Sequence, residues 1–177
     1  MKKFDYLTRR QIQTIHNLGG DRNANRILND MSEYLQSFRH GLEKVYYLSK
    51  SGRERVKCDV IRKKTPNIQH YLLRNQLWIY FNNPSSWKNE IKIKAGAITI
   101  VCDAMFTKNN TQYFIEIDVS QPMIKNKHKI DKYKKIKELT GAKFTLIWLT
   151  EIRSRKQKIR ELMRGINGEV FTLDEII

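Results

Sequence analysis

Three carboxylates, Asp103, Glu116 and Asp118, fall within one short stretch that reads as two adjacent strands. Residues 97–106 are β-branched and interrupted by one acid, residues 108–111 turn the chain, and residues 112–119 return. Side chains alternate faces along a strand. Phe114, Glu116 and Asp118 therefore share one face, and Tyr113, Ile115, Ile117 and Val119 share the other. Two acids on one face, opposite a third on the hairpin partner, offer the oxygen ligands that Mg²⁺ prefers. An ion held there could polarise a phosphodiester and activate a water beside it. Asp103, Glu116 and Asp118 are thus the candidate metal ligands and catalytic residues. A solvated acidic sheet face is the plainer alternative.

The rest of the composition points to an anionic partner. Lys and Arg total 34 against 18 acids, a net charge of +16 with a pI near 9.9. Such an excess favours polyanions, chiefly nucleic acid. With 40% hydrophobic residues the chain can bury a core. It has no apolar run approaching the ~18 residues of a membrane span, and its start lacks the apolar segment of a signal peptide. Cys58 and Cys102 are too few and too isolated for a disulfide framework or a zinc site. The expectation is a soluble, cytoplasmic protein with no membrane partner.

Residues 1–62 contain the parts of a winged helix-turn-helix. Thr8 and Gln11 have the spacing of a capping box, followed by an apolar stripe through Ile12, Ile15 and Leu18 and a stop at Gly19-Gly20. Asp21 can cap a second helical run whose apolar positions extend from Ala24 to Leu35. Its other face carries Arg22, Asn23, Asn25, Arg26 and Asn29. Arg and Asn are the types that bond base edges bidentately. A hairpin follows, turning at His40-Gly41, and then a short helix from Arg53. Lys44 of this wing and Lys50 beyond it join the α-helical residues as candidate DNA contacts.

The basic segment 62–66, ending in Pro66, places a domain boundary at 62/63. Residues 63–177 then read as α-β-β-β-α-β-α-β, an α/β layer arrangement in a chain of overall α+β class. The strands on either side of the Lys-rich helix 123–139 should be parallel, joined by a crossover. Lys125, Lys127 and Lys129 open that helix beside the acids and are further candidates for holding a DNA backbone.

This second domain resembles the PD-(D/E)XK nuclease fold, with Asp103 at the first acid and Glu116 at the second. It departs where that fold usually has Lys two residues after the second acid, because Asp118 stands there, and Cys102 replaces the Pro. The whole chain is similar to the replication-relaxation family of plasmid and phage proteins. The matching segments are Leu7-Thr8-Arg9-Arg10-Gln11-Ile12, Tyr46-Tyr47-Leu48-Ser49-Lys50-Ser51-Gly52 and His70-Tyr71-Leu72-Leu73-Arg74-Asn75, then Asp103-Ala104-Met105-Phe106, Phe114-Ile115-Glu116-Ile117-Asp118 and Lys129-Ile130-Asp131-Lys132-Tyr133. The resemblance implies DNA binding by a winged helix and a role in replication and relaxation of mobile-element DNA. The expectation is therefore a double-stranded DNA-binding protein of a plasmid or phage, or a transcriptional regulator. It would act as a homodimer, with a degenerate nuclease-like domain and no cofactor, rather than as an enzyme. The alternative is a Mg²⁺-dependent endonuclease or nickase using Asp103, Glu116 and Asp118.

Overall fold

In the computed structural model, which describes residues 1–177, the Thr8–Gln11 capping box is formed. Thr8 Oγ1 accepts the Gln11 N–H and Gln11 Oε1 accepts the Thr8 N–H, both at 3.2 Å. Two orphan donors of the helix end are thereby satisfied. The fold is mixed α+β, with two sheets and six helices. It divides into two compact units, Met1–Ile79 and Tyr80–Ile177. No helix is long and apolar enough to cross a membrane.

The first unit begins with a two-residue strand, β1 (Leu7–Thr8), leading into α1 (Arg9–Ile15) and α2 (Asp21–Asp30). Strands β2 (Leu35–His40) and β3 (Glu43–Leu48) form the hairpin, and β1 pairs with β3 to give the order β1-β3-β2, all antiparallel. Helices α3 (Lys50–Arg55) and α4 (Ile68–Tyr80) follow. The apolar pattern of the second helical run continues to Leu35, yet α2 stops at Asp30. Residues 33 and 34 are instead held by Ser49, whose Oγ donates to the Glu33 carbonyl (2.6 Å) and whose N–H donates to that of Tyr34 (2.9 Å). Tyr6, Val45, Ile68 and Leu72 form one core cluster, with Phe38, Tyr47 and Tyr71 packed against it.

The division of the chain falls at the end of α4 and not at residue 62. Helix α4 is bonded into the N-terminal segment by side chains that a free-standing linker helix would not bury. Asn75 Nδ2 donates to the Phe4 and Tyr6 carbonyls (2.9 and 2.7 Å), and Gln11 Nε2 donates to the Leu72 carbonyl (2.8 Å). Arg74, fully buried, donates to Asp5 Oδ2 (2.8 Å), while Arg62 donates to Oδ1. A buried guanidinium without such a partner would be strongly destabilising. Pro66 thus marks the approach to α4 and no domain edge.

The second unit contains β4 (Lys88–Ala95), β5 (Ile98–Lys108), β6 (Thr111–Asp118), α5 (Met123–Thr140), β7 (Phe144–Thr150), α6 (Arg153–Leu162) and β8 (Gly168–Thr172). The sheet runs in chain order, β4-β5-β6-β7-β8. The first two pairings are antiparallel, and β6–β7 and β7–β8 are parallel. Ile130, Tyr133 and Ile136 of α5 and Ile159 of α6 pack with Ile100, Cys102, Phe114, Leu146, Trp148 and Val170. Helix α5 ends at Gly141, whose φ of 64° is the left-handed conformation glycine adopts without steric cost.

Candidate acidic site and nucleic-acid interface

The hairpin register brings Ala104 opposite Ile115. One step further Asp103 comes opposite Glu116, and there the backbone ladder gives way to a side chain. Asp103 Oδ2 accepts the Ile117 N–H at 2.7 Å. Glu116 is only 1% exposed. Two residues of α5 reach it because they lie four apart, on one helical face. Tyr133 donates its hydroxyl to Glu116 Oε1 at 2.6 Å, and the Lys129 ammonium forms an ion pair with Oε2. The same ammonium lies 3.8 Å from Asp103 Oδ1.

These contacts explain the electrostatics. Burial, then the neighbouring Asp103, pushes the Glu116 carboxyl well above its ordinary range, against the pull of Lys129 and Tyr133. Burial also pulls on the Lys129 ammonium, but Glu116 and Asp103 together outweigh it and hold that group above its usual value. The Tyr133 hydroxyl is raised by burial and by Glu116, so it serves as a donor. Cys102, alongside, is pushed up to about 12 by burial and by Glu116.

Asp118 shares a strand face with Glu116 but turns to different partners. It is fully buried, accepting from Thr150 Oγ1 (2.9 Å) and from Arg155 Nη1 (3.0 Å). The structure therefore gathers Asp103 and Glu116 and leaves Asp118 out. No three His, Cys, Asp or Glu residues converge as a metal-holding group. A Mg²⁺ site demands near-octahedral oxygen ligation. Here each oxygen of the acid pair already meets an ammonium, a hydroxyl or an amide, so the arrangement does not fit a divalent ion. Lys129, expected among the DNA contacts, is a partner of these acids. In sequence it is one of seven lysines in α5. The signal that distinguishes it is its place four residues before a buried tyrosine.

The other candidates lie on two surfaces. In the first unit, Arg22, Asn25 and Asn29 of α2 are exposed. Asn23 donates to the Leu18 carbonyl (2.8 Å), and Arg26 donates to Asn23 and Asp30. Asn25 lines a concavity with Arg9, Arg39 and Lys44, together with Leu42, Glu43 and Tyr46. Arg39 and Lys44 are directly opposed across the hairpin. Arg9 is paired with Asp21 at 2.7 Å. Sequence reasoning had not singled out Arg9 or Arg39. The turn position could have found Arg39, since pairing across Gly41-Leu42 sets residue 39 against 44. Lys50 is exposed at the start of α3. In the second unit Lys125 and Lys127 are exposed on α5 and open onto separate grooves. Lys125 stands with His128 and Lys132, and Lys127 with Lys158 and Glu161.

No curated protein matches the chain. Among solved structures it is similar to protein VC1899 from Vibrio cholerae, at 13% identity with a TM-score of 0.44, covering 89% of this chain and 40% of that one. It is also similar to Can2 from Sulfobacillus thermosulfidooxidans, determined in complex with cyclic tetra-adenylate, at 10% identity with a TM-score of 0.42, covering 92% and 46%. The chain thus spans less than half the length of either protein. The sequence model described as Replication-relaxation matches residues 1–145, from the capping box through the acid pair and α5 into β7, and the chain belongs to the replication-relaxation family.

Proposed function

We propose that this is a replication-associated protein of a plasmid or phage that binds double-stranded DNA through its first unit, a winged helix-turn-helix. In this reading α1 and α2 are the helix pair, and the β2–β3 hairpin, joined by β1, is the wing. Asn25 and its exposed neighbours Arg22 and Asn29 are the base-reading candidates. Arg39 and Lys44 would hold the backbone from the wing. The second unit, with its PD-(D/E)XK-like element order, supports the complex through Lys125 and Lys127 and does not cut. Binding as a homodimer belongs to the same reading, because paired half-sites multiply specificity.

The observation that carries this proposal is the Arg39–Lys44 pair beside Asn25. Like charges directly opposed on antiparallel strands are destabilising, and neither residue has an acidic partner in the chain. A phosphate placed between them turns repulsion into attraction. The deciding experiment is fluorescence anisotropy of the full chain against a short labelled duplex, the corresponding single strand and an RNA duplex, over a range of salt. The DNA duplex should bind tightest, with log Kobs falling linearly against log[salt]. No duplex binding at the lowest salt, or a preference for RNA, would overturn the proposal.

A further inference from the structure

Each buried or half-buried carboxylate described above carries a cation of the chain's own. Asp5 has Arg62 and Arg74, and Asp118 has Arg155. Glu116 and Asp103 share Lys129. The Asp5 pairs lie far along the chain from any candidate chemistry and Asp118 keeps a cation separate from that of Glu116, so pairing with a cation is how this fold accommodates its acids. At the third, the pattern meets the one place where a nuclease-like sheet would hold a metal. Each of the four oxygens there is engaged. Glu116 Oε1 accepts from Tyr133, Oε2 faces Lys129, Asp103 Oδ1 faces Lys129, and Oδ2 accepts from the Ile117 amide.

We propose that Lys129 is the built-in cation of this site. Its ammonium takes the position between Asp103 and Glu116 that a divalent ion would need, so the native chain takes up no Mg²⁺ or Mn²⁺ there. Removing the ammonium opens a hard-cation site on the same two acids. A dication and a lysine ammonium compete for the same oxygens, and only the ammonium is tethered. Lys129 rises from a helix that buries Ile130 and Tyr133 beside it, so its reach to the acids is fixed by packing. Tyr133 further occupies an oxygen that an octahedral ion would require. Asp118, which could have completed a three-acid site, is neutralised by Arg155. This inference stands whether or not the first unit binds DNA, because its readout is metal uptake.

The test is titration of the full-length protein with Mn²⁺, following free Mn²⁺ by electron paramagnetic resonance. Native protein should show no saturable uptake that Glu116→Gln removes. Lys129→Ala should gain one Mn²⁺ per chain, at least tenfold tighter than any native uptake, and Lys129→Ala with Glu116→Gln should lose it again. Lys129→Met, which keeps the packing of the stem, serves in parallel if the alanine variant folds poorly by circular dichroism. Native uptake abolished by Glu116→Gln would overturn the proposal. So would folded Lys129 variants that bind no more Mn²⁺ than native. Native nicking of supercoiled plasmid in Mn²⁺, lost on Glu116→Gln, would overturn it as well, since Lys129 would then assist a metal and not replace one.

Discussion

Replacing Arg39 and Lys44 together by alanine separates a DNA-binding wing from a merely structural hairpin. The two residues are exposed and directly opposed in the register, and neither forms an ion pair. If each engages one phosphate, each contributes about 0.9 to the slope of log Kobs against log[salt]. The double variant should therefore lose roughly 1.8 from that slope. Referred to a 1 M limit, the loss at 0.15 M salt is about fivefold for each phosphate, or roughly 1 kcal/mol. Together the two should cost about thirtyfold in affinity by the same estimate. Stability should move the other way, because like charges opposed across a sheet cost about 0.2–1 kcal/mol in the free protein. Anisotropy titrations across a salt series, paired with urea denaturation, read both quantities. Lys88→Ala, exposed on the edge strand β4, is the control and should leave the slope within error of native. An unchanged slope in the double variant, or a slope loss matched by the control, would refute the assignment. A destabilised double variant would refute it too, since the pair would then be holding the hairpin together.

Other outcomes follow from single contacts. Arg155→Met leaves the fully buried Asp118 with only its Thr150 hydrogen bond, and urea denaturation should register a loss of about 3–5 kcal/mol; a loss below about 1 kcal/mol, the range of exposed pairs, would show that the pair is not a clamp. Cys102 is fully buried with its thiol pushed up to about 12, while Cys58 is half-buried. A colorimetric thiol count should thus rise when native protein is unfolded in urea, and Cys102→Ser should abolish the rise. Glu175 is drawn down to about 2 by Lys156, with further help from Thr172. Its folded value lies below the unfolded one, so its contribution is present above pH 4.5 and is lost as the pH falls toward 2. Amide protection factors of residues 172–176, corrected for the intrinsic pH dependence of exchange, should fall over that window, and Glu175→Gln should remove the dependence.

What the sequence made legible were interactions closed within a few residues. The Thr8–Gln11 box, the Gly141 stop and the hairpin turn each depend on neighbours at fixed short spacing, and strand alternation was enough to bring Glu116 toward Asp103. The allegiance of α4 was not legible. Its polar anchors Arg74 and Asn75 find partners at Phe4, Asp5 and Tyr6, about seventy residues earlier, and no periodicity encodes such a pairing. Pro66 supplied a local boundary signal that these distant bonds override. Asp118 misled for a related reason, since strand alternation fixes the face of a side chain but not which partner on β7 or α6 claims it.

Net charge illustrates the same limit, with a consequence for function. Sixteen Lys and Arg stand against seven acids in residues 1–79, and eighteen against eleven in residues 80–177, so composition alone makes both units comparably attractive to DNA. Within the second unit, however, the two basic helices differ. On α6, Arg153 pairs with Asp174, Arg155 with Asp118 and Lys156 with Glu175, and on α5 Lys129 pairs with the buried acids. Coulomb attraction to a phosphate is reduced wherever a carboxylate already lies within contact distance. A basic helix can therefore be largely neutral toward a partner. On α5 the lysines other than Lys129 carry no ion pair, and on the β2–β3 hairpin Arg39 and Lys44 are opposed without one. Charge reversal at Lys125 and Lys127 should accordingly weaken DNA binding more than the same change at Arg153 and Lys156. The reverse order in anisotropy titrations would mean that DNA displaces the acids from α6, and that the ion pairs of that helix are a gate and not a clamp.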